Sequence, residues 1–271
     1  MTALRPAPVR AVRLHTRSAV ALLTVSLVGI AGFGWPLLAR PASGLAHSAD
    51  APWLFVVLLP LLLAVVLAEV AEGGMDAKAI ALLGVLAACG AAIRPLGAGV
   101  AGFEPVFFLL IPAGRVLGRG FGFVLGALTL FASALLTAGV GPWLPFQMLG
   151  AAWVGFGAGC LPRAHGRREL ALLAAYGVLA GLLYGLLLNM SFWPFAAGTG
   201  LGHGLAFVAG DPLSANLRRF VAFDLVTSLG FDIPRAVTNC LLVLFAGPPV
   251  LAALRRASRR AAFDAPVSFE P

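Results

Sequence analysis

Asp232, Arg235 and Asn239 stand at i, i+3 and i+7, a spacing that puts three side chains on one helix face. A carboxylate, a guanidinium and an amide on one face can orient a polar organic molecule. At about 1.5 Å of rise per residue, Asn239 lies roughly 10 Å further along that helix than Asp232. Other polar and aromatic residues stand beside long apolar runs: Phe103 and Glu104, Trp143 and Gln147, Asn189 and Trp193. Polar groups inside apolar segments are costly, which makes them candidates for function. Each also has a plainer reading. Asp232 and Arg235 suit an ion pair that anchors a helix. Trp143 and Trp193 suit membrane-interface positions, and Gln147 suits a hydrogen bond to a neighbouring helix.

None of these residues forms catalytic machinery. The chain has no G-x-S-x-G, no H-E-x-x-H and no G-x-x-x-x-G-K-[ST] phosphate loop. The histidines, His15, His47, His165 and His203, lie far apart and outside the apolar runs. Cys89, Cys160 and Cys240 sit within apolar runs, without C-x-x-C spacing, and read as small hydrophobes. The expectation is a protein that binds without reacting: no enzyme, no catalytic residue, no metal site and no cofactor.

The elements that must carry these residues are membrane helices. The chain has 271 residues, 60% hydrophobic and 11% charged, with a mean hydropathy of +0.96. Soluble domains average about 25% charged residues. The apolar runs are long and lack period-2 alternation, which favours helices over a barrel. Eight spans are expected, near 19–39, 53–71, 78–93, 105–117, 121–138, 146–162, 169–190 and 232–254. Glu69 and Glu72 read as boundary residues of the second span. A long connection, 191–231, includes an amphipathic stretch at 214–230 that suits a helix lying at the interface. The units are a basic N-terminus with an extra hairpin (1–77), a six-helix core (78–255) and a short tail (256–271).

The net charge of +8 is not a nucleic-acid signature, because the arginines flank apolar spans and form no single patch. With eight spans, Arg5, Arg10, Arg13, Arg17, Lys78, Arg115, Arg119, Arg163, Arg167, Arg168, Arg255, Arg256, Arg259 and Arg260 share one side. Arg40, Arg94, Arg218 and Arg219 fall on the other. That asymmetry places both termini in the cytoplasm of a multi-pass cell-membrane protein. The polar set then clusters toward the outer leaflet, as a pocket opening outward requires. The loop from Arg94 to Glu104, with Gly97 and Gly99, suits a mobile lid. Gly84, Ala88 and Ala92 form one row of small residues, and Ala87 and Ala91 a second, for close helix approach.

Three phrases give a resemblance. One runs from Phe107 through Gly114 and Gly118 into Gly120-Phe-Gly-Phe-Val-Leu-Gly126. Another is Gly139-Val-Gly-Pro-Trp-Leu-Pro-Phe-Gln-Met148. The third is Thr227-Ser-Leu-Gly-Phe-Asp-Ile-Pro-Arg-Ala-Val-Thr-Asn239. Residues 78–255 resemble the substrate-binding S component of energy-coupling factor (ECF) transporters, the vitamin-uptake ABC systems. The resemblance implies an all-α, six-helix core that binds a vitamin-like ligand from outside. A membrane-embedded T subunit and two cytoplasmic ATPases would drive its delivery. It implies that Ala87 and Ala91 match the face that docks the T subunit and that loop 94–104 is the substrate gate. The first two spans lie outside it. A stand-alone secondary transporter, or an assembly protein without a small ligand, are the other readings of the same spans.

Overall fold

The computed structural model describes residues 16–38, 57–64, 66, 75, 77–97, 102–196, 202 and 204–261. Every regular element among them is helical. In chain order these are α1 (Thr16–Phe33), α2 (Trp35–Leu38), α3 (Ala77–Ile93, continued by a 3-10 turn at Arg94–Gly97), α4 (Val106–Leu117), α5 (Arg119–Leu136), α6 (Leu144–Cys160), α7 (Gly166–Ala196), α8 (Leu213–Thr227) and α9 (Leu229–Ala261). Residues 57–64 are also helical. Most of the expected second span lies outside the described residues, with Glu69 and Glu72. So do the basic N-terminal stretch, Gly99 and the tail after Ala261.

The chain is a helical membrane protein by length and composition. Ala77–Gly97, Arg119–Leu136, Gly166–Ala196 and Leu229–Ala261 are long and apolar enough to cross a bilayer. Large side chains on their outer faces, among them Val85, Leu135, Leu179, Leu183 and Phe245, are exposed. Water would penalise that surface, and lipid covers it. Two of the expected spans, α4 and α6, are short. The 12 residues of α4 reach only about 18 Å, against roughly 30 Å of hydrocarbon. Nearly all of α4 is buried, including Phe107, Leu110, Ile111 and Gly114, so it is a core helix wrapped by its neighbours. The seventeen residues of α6 are likewise mostly buried.

Glycine decides the packing of α4, α5 and α6. A Cβ at Gly122 or Gly114 would strike the Gly155 carbonyl oxygen, one at Gly155 would strike Gly122, and one at Gly126 would strike Ala151. With no side chains between them, the backbones touch. Membrane helices associate this way, since lipid supplies no hydrophobic drive between them. The same device joins α7 to α9. Gly177, Gly181 and Gly185 lie four residues apart, and they receive Asn239, Arg235 with Ala236, and Asp232 in turn.

Helix α1 docks on this core and does not stand apart. The Trp153 indole N–H donates to Ser26 Oγ at 3.0 Å, and Phe33 packs edge-on against Phe146 with ring centroids 5.0 Å apart. The two longest helices outrun their expected spans. Helix α7 continues to Ala196, and α9 opens at Leu229 and reaches Ala261. The expected amphipathic stretch is α8. It rests on the end of α7 through Phe220 and Phe223, which pack around Trp193. It exposes Leu213, Leu217, Val221 and Leu225, one apolar stripe at helical spacing.

Candidate functional site

Helices α7, α8 and α9 enclose an open cavity of about 370 Å³. Asn189, Thr227, Ser228, Asp232 and Arg235 supply its polar lining, and Phe192, Phe223 and Phe231 its aromatic lining. The volume falls in the range of small-molecule sites, about 300–1,000 Å³.

Buried charge organises one wall. Arg235 pairs with Asp232 one helical turn before it and with Glu104 from the loop after α3. It also donates to the Gly181 carbonyl at 3.3 Å, and its guanidinium carbon lies 5.5 Å from the Tyr184 ring centroid. Asp232 accepts a 2.6 Å hydrogen bond from Ser228 Oγ as well. Both members of the Asp232–Arg235 pair are buried. The absent side chain at Gly185 makes this possible, since the Asp232 carboxylate fills the space a Cβ there would occupy.

The opposite wall is held by hydrogen bonds from a side-chain amide. Asn189 Nδ2 donates to Asp224 Oδ1 at 2.9 Å and to Thr227 Oγ1 at 3.4 Å, which ties α8 to α7. Burial pushes the Asp224 carboxyl above its ordinary range. The Asn189 amide opposes that shift, and the negative charge of Asp232 adds to it. Asp232 and Glu104 share the Arg235 guanidinium, and Asp224 is engaged instead by the Asn189 amide.

The residues singled out from sequence divide three ways. Asn189, Asp232 and Arg235 line the cavity. Glu104 reaches it indirectly through Arg235, and Phe103 precedes Glu104 on the same loop. The others lie elsewhere. Gln147 accepts a 2.9 Å hydrogen bond from Arg94, whose other terminal nitrogen approaches Ser133 Oγ at 3.4 Å. Trp143 is exposed, and its indole N–H bonds the Gly139 carbonyl. Trp193 is completely buried, and its indole N–H donates to the Leu205 carbonyl at 2.7 Å. Asn239 is completely buried against α7. Its amide nitrogen donates to the Arg235 carbonyl at 2.9 Å, and its Oδ1 has no partner. None of Trp143, Gln147, Trp193 and Asn239 lines the cavity that Asn189, Asp232 and Arg235 share.

The glycine loop is anchored to the site. Gly102 has φ +70° and sits against the Phe231 carbonyl, where a Cβ would collide. Gly97 abuts the Phe103 carbonyl in the same way. With Glu104 on Arg235, the loop's described end is fastened to the first two turns of α9.

The two small-residue rows of α3 also separate. Ala87 and Ala91 are buried within the chain, while Gly84, Ala88 and Ala92 are exposed. Ala87 and Ala91 thus pack inside the chain, and the Gly84 row is the one left open on α3. Sequence reading passed over Tyr184, Ser228, Asp224 and the Gly177–Gly181–Gly185 ladder. The four-residue spacing of those glycines is the signal that could have located the seam. No family model, no curated protein and no solved structure matches the chain.

Proposed function

We propose that the chain is the substrate-binding S component of an ECF-type importer, taking a small organic micronutrient from outside into the cavity between α7, α8 and α9. The observation that carries the reading is the meeting of Asn189, Asp232 and Arg235 around one cavity of ligand size. The sequence resemblance over residues 78–255 supports it. So does a loop end latched to Arg235 through Glu104, which a gate over that cavity would need. In this reading the chain binds and releases without chemistry. Eight spans leave both termini in the cytoplasm, and a T subunit with two ATPases supplies the work.

The test is binding by the purified full chain, screened by thermal melting against cobalamin-related, thiamine-related and other vitamin compounds. A compound that stabilises the chain should bind Asn189→Ala and Thr227→Val about 5–150-fold more weakly, the cost of one hydrogen-bonding partner in a desolvated site. Unchanged affinity in both folded variants would move the pocket elsewhere. No stabilising compound, with no ATPase copurifying from native membranes, would overturn the assignment.

The partner face gives a second expected result. Ala88→Leu adds bulk to the exposed row of α3, and it should reduce copurification of the coupling subunit while leaving thermal stability unchanged. Full recovery of the partner with both Ala88→Leu and Gly84→Leu would remove α3 as the docking helix.

A further inference from the structure

At the arginine-rich end of the bundle, the start of α7 and the last turns of α9 form a second groove, of about 560 Å³. Leu170, Pro248 and Leu251 give it an apolar wall, and Arg167, Arg256 and Arg259 a cationic rim. Arg255 also lines it, but that side chain is engaged, donating to the buried Glu169 carboxylate at 2.6 Å. Arg115 holds the other oxygen of Glu169 at 2.9 Å. That bridge joins α4, α7 and α9 and gives the groove a rigid floor. Arg167, Arg256 and Arg259 form no ion pair with a described carboxylate. Three guanidinium groups without a carboxylate partner among the described residues therefore surround an apolar trough at the end of two helices long enough to cross a membrane.

We propose that this groove binds an anionic phospholipid of the cytoplasmic leaflet. The phosphate is held by Arg256 and Arg259 with Arg167, and an acyl chain lies along Leu170, Pro248 and Leu251. Guanidinium forks match phosphate oxygens in pairs. Anionic headgroups concentrate at the leaflet that positive-inside topology assigns to these arginines. The apolar wall distinguishes a lipid from a free phosphate, which would gain nothing from it. The leaflet assignment rests on the topology proposed above. The binding test does not, because it uses purified protein and no transported ligand.

The experiment delipidates the full chain in a neutral detergent. It then measures the thermal midpoint with added phosphatidylglycerol, phosphatidylcholine or inorganic phosphate, and lipid retention by native mass spectrometry. Phosphatidylglycerol should stabilise the chain and the other two should not. Removing two charges in Arg256→Gln/Arg259→Gln should lower lipid affinity roughly 25-fold, at about fivefold per arginine near an anionic surface. Arg255 is left in place because it holds Glu169. Ala252→Trp, at an exposed position in the groove, keeps every charge and should also abolish the response by filling the trough. Equal stabilisation by phosphatidylcholine, an equal effect of inorganic phosphate, or an undiminished lipid response in both variants would overturn the proposal. Variants that keep the lipid response but lose a copurifying protein would overturn it too, and would assign the groove to that protein.

Discussion

Gly155→Ala should lower the thermal midpoint of the purified chain by roughly 6–10 °C, and Gly155→Leu should leave little folded protein to purify. The Gly155 position faces the Gly122 backbone, with the Gly122 Cα only 3.0 Å from where a Cβ would stand. That neighbour is main chain in the first turn of α5, so it has no rotamer to change. Relief would need α5 and α6 to separate, and α4 is held by the same contact through Gly114. One methyl therefore disturbs three helices, at the upper end of the roughly 1–3 kcal/mol that overpacking costs. Gly84→Ala is the matched control, since nothing lies within 4 Å of its would-be Cβ. It should be neutral or slightly stabilising, because alanine is the better helix former. Equal melting of Gly155→Ala and Gly84→Ala would show that this backbone contact does not hold the three helices together.

Arg235→Met should cost about 3–5 kcal/mol of stability, the usual effect of removing one partner from a buried ion pair. Methionine keeps much of the arginine stem's volume, so the loss reports charge more than packing. The arginine serves two carboxylates at once, and they differ in exposure. Asp232 keeps only 5% of its side-chain surface, whereas Glu104 keeps 27%. Glu104 can turn toward water after the change, and Asp232 cannot. Adding Asp232→Asn should therefore recover most of the loss, because the amide is neutral and Ser228 still bonds it. Adding Glu104→Gln should recover little. The double-mutant comparison separates the pair from the latch, read as melting midpoints in one detergent. The Asp232–Arg235 pair is not what holds this seam if Arg235→Met alone costs under about 1 kcal/mol. Its role would also fail if Glu104→Gln rescues as well as Asp232→Asn. Proteolysis within loop 94–104 should accelerate in Glu104→Gln, since that change frees the loop from α9 without burying a charge.

Apolar run length determined the helices of this protein, because bilayer lipid leaves the backbone almost no other structure to form. Arginine placement likewise marks one end of the bundle from sequence alone. Spacing put Asp232, Arg235 and Asn239 on one face of α9, and they do share it. The face does not say what it meets. Gly177, Gly181 and Gly185 decide that by letting α9 approach α7 until Asp232 and Asn239 are enclosed. Asn239 then packs as core, and only the first two residues reach the cavity. The Glu104–Arg235 bond joins positions 131 residues apart, and no local pattern encodes such a pairing. Glycine also sorted the small residues of α3. Gly90 nests against Thr129 of α5, which turns Ala87 and Ala91 inward and leaves Gly84, Ala88 and Ala92 outside. Depth and helical phase follow from the order of residues along the chain. The seam a side chain enters is set by which backbones approach most closely, and that depends on pairs of glycines on different helices.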